Sequence, residues 1–459
     1  MTSEYQEVRS RIIAGGQAPV HDSAPDVPSL TLPPALQPPK TSPSPTTAST
    51  VRRGVKLSFT ISPTFVSTLA QHVKHLSEAR ISQGFLHFHP SPIHRSANLE
   101  YSSQQYQDLT DLLRRIDVNL FNVHPSRLEI FLAALLSRLV HRSTLLSHTG
   151  TDHATTSRIC HAIFNGSGIV ELNLPNTPGY GKELDAVAAQ GRRRLLGYVL
   201  RARESVVHHT NGLVYFLQKF ICDGEELSQS LIKDTHRILA RNHDPVDGIH
   251  SERFRGCYRD RMANQYSPKP IAPTISPTAS GSHLIISFPA PKRRRSGEGD
   301  TDNGERTAAS SPTLGQEIGS IDVAMARLIL TYREQLILDR SKSNYQERTQ
   351  SDPFALTAWL CTEFLHIRPF ITGNEEMSRI ILCGVLLKEL GIVVAFGDGW
   401  EPAREEYIGV LERCEKQRVM TGGITTNDGE GASYAEFAAL VAQKARDSLE
   451  EFVGMVGRS

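Results

Sequence analysis

The residues most able to do chemistry lie between Phe364 and Arg379, which read Phe-Leu-His-Ile-Arg-Pro-Phe-Ile-Thr-Gly-Asn-Glu-Glu-Met-Ser-Arg. Pro369 disfavours helical geometry at Arg368, so one helix ends there. Thr372, Gly373 and Asn374 then form a turn, and a second helix starts at about Glu375. Such a turn presents unpaired backbone amides at the positive end of a helix dipole, a ready anion site. The same residues also suit an ordinary helix–loop–helix corner. Gly373 and Asn374 are the candidate anion ligands of this turn. His366 precedes Arg368 by two residues, about 200° around a helix, which turns it away from any site at the corner.

Amphipathic helices must carry this corner. Leu128, Phe131, Leu132, Leu135 and Leu139 form one apolar stripe, and Ile321, Met325, Leu328, Tyr332 and Leu336 another. Val206–Phe220 and Leu227–Leu239 repeat the pattern about a turn at Asp223-Gly224. Asp352-Pro353 opens a helix well, because Asp caps free amides and Pro suits the first turn. Strand signals are scarce, and the core is expected to be all-α. Residues 1–52 are expected to be disordered: nine of the 26 prolines fall within 19–45, among Ser, Thr and Ala. A helical extension is expected over 53–124. A second break, from Tyr266 to about Pro312, contains a short apolar run, His283–Phe288, that suits one arm of a hairpin.

The segment resembles the signature of the Fic (Fido) family, HPFx[D/E]GNGRxxR, through Ile367, Pro369, Phe370, Gly373, Asn374 and Arg379. Flanking residues are similar too. Asp352-Pro353 opens the preceding helix, Phe364 sits four residues before the motif, and Arg404, Tyr407 and Leu411 follow on a later helix. Upstream, Leu227–Leu239 with His236 looks like the family's second core helix, and Phe254–Arg259 like its G-x-[YF]-R turn. The resemblance implies an all-α Fic-type domain over 125–455, with a β-hairpin flap in 266–289 (Ser282–Phe288 the candidate) and a disordered insert at 290–315. It further implies AMP transfer from ATP to a protein hydroxyl, with a histidine base, an acidic Mg²⁺ ligand and a Gly-Asn-Gly-Arg phosphate cradle.

This chain departs from that pattern at the chemical positions. Arg368 replaces the histidine and cannot serve as a base, because arginine is never deprotonated in proteins. Thr372 replaces the acid and is a poor sole ligand for a hard cation. Glu375 and Glu376 replace a glycine and an arginine. Beside a polyphosphate, each like-charge contact at about 4 Å costs about 1–4 kcal/mol. Many family members also carry an inhibitory [S/T]xxxE[G/N] segment whose Glu pairs with the second motif arginine. Here Ser143 opens that segment, Ser147 takes the Glu position, and Glu376 is read as the arginine's position, so both ends of the ion pair are expected to be absent. Two functions follow: a pseudoenzyme acting as a binding or regulatory scaffold, or an active nucleotidyltransferase with altered chemistry. ATP and Mg²⁺ are implied only by the second, and the partner or protein target is not specified.

Charge and composition narrow the rest. Fifty Lys+Arg against 49 Asp+Glu leave a net +1, which argues against a globally basic nucleic-acid binder. No run approaches a membrane span, and Met1–Arg11 lacks a signal peptide's apolar region, so no membrane role is expected. The six cysteines show no CxxC spacing and read as reduced thiols, with no disulfide-linked partner and no metal site. Lys292, Arg293, Arg294 and Arg295 form a basic cluster suited to nuclear import, so the expected location is cytoplasmic or nuclear.

Overall fold

The computed structural model describes residues 54–56, 61–82, 87–88, 103–166, 169–171, 179–241, 250–259, 320–342, 349–350, 352–397, 402–420 and 434–457. The expected tail, the flap region 266–289, the insert 290–315 and the basic cluster at 292–295 lie outside the described residues. All described residues belong to one unit spanning Arg52–Ser459.

Thirteen helices are described: α1 Phe65–Ser82, α2 Ser103–Leu120, α3 Pro125–Leu146, α4 His153–Phe164, α5 Tyr180–Ala189, α6 Leu196–Leu217, α7 Gln229–Leu239, α8 Ser251–Phe254, α9 Ile321–Lys342, α10 Pro353–Ile367, α11 Asn374–Leu390, α12 Pro402–Met420 and α13 Ala435–Val456. A π-helical turn, Gln218–Cys222, extends α6. Strands are confined to two short ladders. Gly54–Lys56 pairs antiparallel with Ile169–Glu171, and His87–Phe88 pairs parallel with Thr349–Gln350. The core is all-α, as the helical periodicity implies.

Helix α11 is the axis of the bundle. Met377, Ile380, Ile381, Leu382, Cys383, Val385, Leu386 and Leu387 are all buried, and a helix apolar on every side belongs inside a protein. It packs against α1, α3, α6, α7 and α10. The helices of 65–120 join the same apolar core as those after 125, through Phe65, Leu69, Leu109 and Leu113. Asp352 caps α10 by accepting from the amides of Phe354 and Ala355, and also accepts from the Tyr106 hydroxyl at 2.6 Å. That links α2 to the start of the helix leading into the 368–373 loop. All six cysteines are unpaired, and Cys160, Cys361, Cys383 and Cys414 are buried. Burial pushes these four thiols up to about 12, which keeps them protonated and unreactive.

Candidate functional site

The loop Arg368–Gly373 joins α10 to α11, and the chain fixes it from three sides. Asn374 clamps it from within: its Oδ1 accepts from the Phe370 amide at 3.0 Å, and its Nδ2 donates to the Phe370 carbonyl at 2.9 Å. Both ends of this side chain therefore serve the turn. The side chain thus shapes the loop that the sequence reading proposes as an anion site.

His236 of α7 holds the second side. It is fully buried, and its ring stacks on Phe370 at 3.6 Å and 5°. Its Nδ1 accepts from the Gly256 amide at 2.9 Å, so the proton sits on Nε2, which donates to the Thr372 carbonyl at 2.9 Å. Gly256 lies at φ +70°, where a Cβ would stand 2.9 Å from the Lys233 carbonyl oxygen. Only glycine brings an amide to the histidine at this point.

Arg259 holds the third side. Its amide donates to the Pro369 carbonyl at 2.8 Å, and its guanidinium donates to the carbonyls of Arg368 and Ile367. Arg368 itself adopts a left-handed conformation, φ 45° and ψ 63°, which costs a non-glycine residue about 1 kcal/mol or more. Two non-glycine residues have positive φ among the described residues: Arg368 and His148. The second directly follows Ser147, whose hydroxyl meets the arginine described next.

Arg379 lies one turn into α11 and is only 2% exposed. Its Nε donates to the Ser143 hydroxyl at 2.6 Å, and its Nη2 donates to the Ser143 carbonyl at 3.1 Å and the Ser147 hydroxyl at 2.7 Å. Nη1 is buried with no hydrogen-bond partner among the described residues. The Tyr407 ring lies 5.9 Å from the guanidinium, and burial pushes its phenol up to about 12. Burial disfavours the Arg379 charge, but Tyr407, Glu376 and Glu375 together hold it above the ordinary arginine range. Two other arginines are buried among the described residues, and each is neutralised by a buried carboxylate: Arg80 by Asp117 and Arg203 by Glu183. Arg379 instead rests on neutral oxygens.

This geometry corrects the expected pairing. Ser147 meets Arg379, so an arginine stands opposite this serine. The arginine that meets Ser147 lies three residues beyond Glu376, as the Ser147–Arg379 hydrogen bond shows. Glu375 and Glu376 occupy the first turn of α11, where their charges suit the helix dipole and oppose an incoming anion. Thr372 offers a hydroxyl, and its carbonyl already accepts from His236. Its donor set does not fit Mg²⁺, which is usually held through one or two carboxylates. Among the described residues no three His, Cys, Asp or Glu side chains gather to hold a metal ion. His366 lies outside the site, with Nδ1 3.3 Å from a Glu415 carboxylate oxygen on α12. That contact holds the Glu415 carboxyl below its usual range.

Sequence reasoning missed the loop-holding role of Arg259 and the Tyr407 contact with Arg379. It named His236 only as a helix landmark. The signal for Arg259 was the G-x-[YF]-R turn itself, whose arginine had no assigned task.

No family model matches the chain. Over 52 residues it is 40% identical to a Fido domain-containing protein of Dictyostelium discoideum, a stretch that is 11% of this chain and 36% of that protein. The chain thus matches about a third of the length of this curated relative. Among solved structures it is similar to a Fic domain containing signaling protein from Bacteroides thetaiotaomicron, with TM-score 0.46 and 16% identity over 77% of this chain and 98% of that one. It is also similar to residues 134–508 of Fic-1 from C. elegans, with TM-score 0.44 and 13% identity over 78% and 74% of the two chains. No helix of the described residues is long and apolar enough to cross a membrane.

Proposed function

We infer that the chain is a Fic/Fido-family protein acting as a pseudoenzyme, a binding or regulatory scaffold built on a transfer-enzyme frame. The Fido-domain match supports the family. The observation that carries the finer reading is a preserved loop with reversed charge: Asn374, His236 and Arg259 hold residues 368–373 in place, while Glu375 and Glu376 stand at the entrance of the helix. A guanidinium at position 368 has no lone pair to accept a substrate proton. No step of AMP transfer is derived through this set of groups.

One observation favours the second reading, an active nucleotidyltransferase with altered chemistry. The buried, unpartnered Nη1 of Arg379 is a strong donor for an anionic group. In that case Arg379 grips the donor's phosphates and the base comes from elsewhere.

Labelled ATP with Mg²⁺ separates the two. The pseudoenzyme reading expects no label on the protein or on added proteins, and no rise in melting temperature with any nucleotide. Labelling that disappears in Arg368→Ala overturns it. The combined variant Arg368→His, Thr372→Asp, Glu375→Gly and Glu376→Arg tests the frame. Nucleotide transfer by this variant means that only the chemical groups were lost.

A further inference from the structure

We propose that the outer face of α9 seats a second copy of this chain, with the two α9 helices crossing antiparallel about a two-fold axis beside Leu330. The inner face of α9 is committed. Ile321, Met325, Leu328, Ile329 and Tyr332 are buried, Lys233 of α7 pairs with Asp322 at 2.8 Å, and Arg333 pairs with Glu226 at 2.9 Å. The helix is therefore seated by its inner face on α7 and α10, which leaves its other side facing outward.

That other side is apolar. Val323, Leu330 and Ile337 are 61%, 57% and 65% exposed, spaced seven residues apart. An interval of seven keeps side chains on one line of a helix and is the repeat of helix-to-helix seams. Single exposed aliphatics are ordinary, whereas a line of them marks an interaction surface. Exposed Ala326 lies between the first two. Beside the line lies a shallow, open depression of about 180 Å³, lined by Ser228, Gln229, Ala326, Ile329, Leu330 and Arg333.

The charges choose the occupant and its direction. Arg327 and Glu334 flank Leu330, both exposed, and neither has an ion-pair partner among the described residues. In a parallel pairing of two copies, Arg327 meets Arg327 and Glu334 meets Glu334. In an antiparallel pairing centred between Leu330 and Thr331, each Arg327 meets the other copy's Glu334. The surface is thus complementary to itself under a two-fold rotation, which is the requirement for an isologous dimer.

Sedimentation of the full chain tests this. The wild type should populate a dimer at micromolar concentration. Leu330→Glu should raise the dissociation constant by about tenfold or more without lowering the melting temperature measured on dilute, monomeric protein, since the side chain is exposed. Arg327→Glu and Glu334→Arg should each weaken the dimer, and the double variant should restore it. Leu330→Cys should cross-link to itself on oxidation, where the wild type does not. A wild type that stays monomeric at about 100 µM overturns the proposal. So does a dimer indifferent to Leu330→Glu or to the charge swap.

Discussion

The guanidinium of Arg379 donates to the hydroxyl of Ser147 at 2.7 Å, across 232 positions of sequence. This bond joins the end of α3 to α11 one turn past its start, and the hydrogen bonds of this buried guanidinium go only to neutral oxygens. A buried charge is costly unless paired, and Arg80 and Arg203 are both paired. Ser147→Glu should therefore stabilise the protein by about 1–2 kcal/mol, seen as a rise of a few degrees in melting temperature. The same change in an Arg379→Met background should give no gain, because the new carboxylate then lacks a cation. Thermal melts of the four proteins form the cycle that checks this.

Asn374 predicts a different pattern. Its amide makes two opposed hydrogen bonds with Phe370, so each substitution removes a definable part. Asn374→Ala leaves a half-buried amide and carbonyl without these partners and should cost about 2–3 kcal/mol. Asn374→Asp keeps the acceptor but sets a carboxylate oxygen against the Phe370 carbonyl, and should also destabilise. Urea unfolding gives the totals. Hydrogen exchange at the Phe370 amide, faster in Asn374→Ala and slow in Asn374→Asp, shows which bond was lost.

The contrast between these two residues shows what could be read from the sequence. Asn374 acts on a residue four positions away, and Asp352 on amides two and three positions away. Such caps and turns are local, so the start of α10 and the start of α11 both followed from residue types. The stripes of α3, α7 and α9 were equally readable, because burial imposes its period on the sequence. Arg259 reaches Arg368 across 109 positions and His236 reaches Thr372 across 136. No local pattern encodes such contacts. The partner of Ser147 was legible for a different reason: the signature's second arginine falls at Arg379, three residues past Glu376, and Arg379 is the residue that Ser147 meets. The short ladder of residues 54–56 with 169–171 likewise pairs segments too brief to carry an alternating pattern.

Gly256 is the backbone hinge of the His236 contact, and its neighbours decide what a side chain would cost there. Gly224 has nearly the same backbone angle, φ +71°, but nothing lies within 4 Å of where its Cβ would be. Gly224→Ala should cost only the left-handed backbone penalty, about 1 kcal/mol. Gly256→Ala adds a collision with the Lys233 carbonyl oxygen and Arg237. It should cost about 3 kcal/mol or more, because the amide must leave His236. Denaturant midpoints for the two variants make the comparison. Equal losses would mean that Gly256 serves backbone angle alone.

His141 gives the protein a calculable sensitivity to acid. Burial, then the neighbouring charge of His153, lowers its pKa from 6.5 to about 4, and Asp152 opposes the shift only in part. The two rings meet edge to face at 5.1 Å. The unfolded chain takes up a proton on this residue near pH 6.5, whereas the folded chain resists until about 4. Between those values the unfolded state binds more protons, so stability falls as the pH is lowered. The contribution is complete above about pH 6.5 and is lost by about pH 4, with a size on the order of 3 kcal/mol. His141→Phe keeps an aromatic ring against His153 and removes the titrating group. Its unfolding free energy should drop less than that of the wild type between pH 7 and pH 4.5, by on the order of 2 kcal/mol. Parallel curves for the two proteins across that range would rule out His141 as the source of the acid loss.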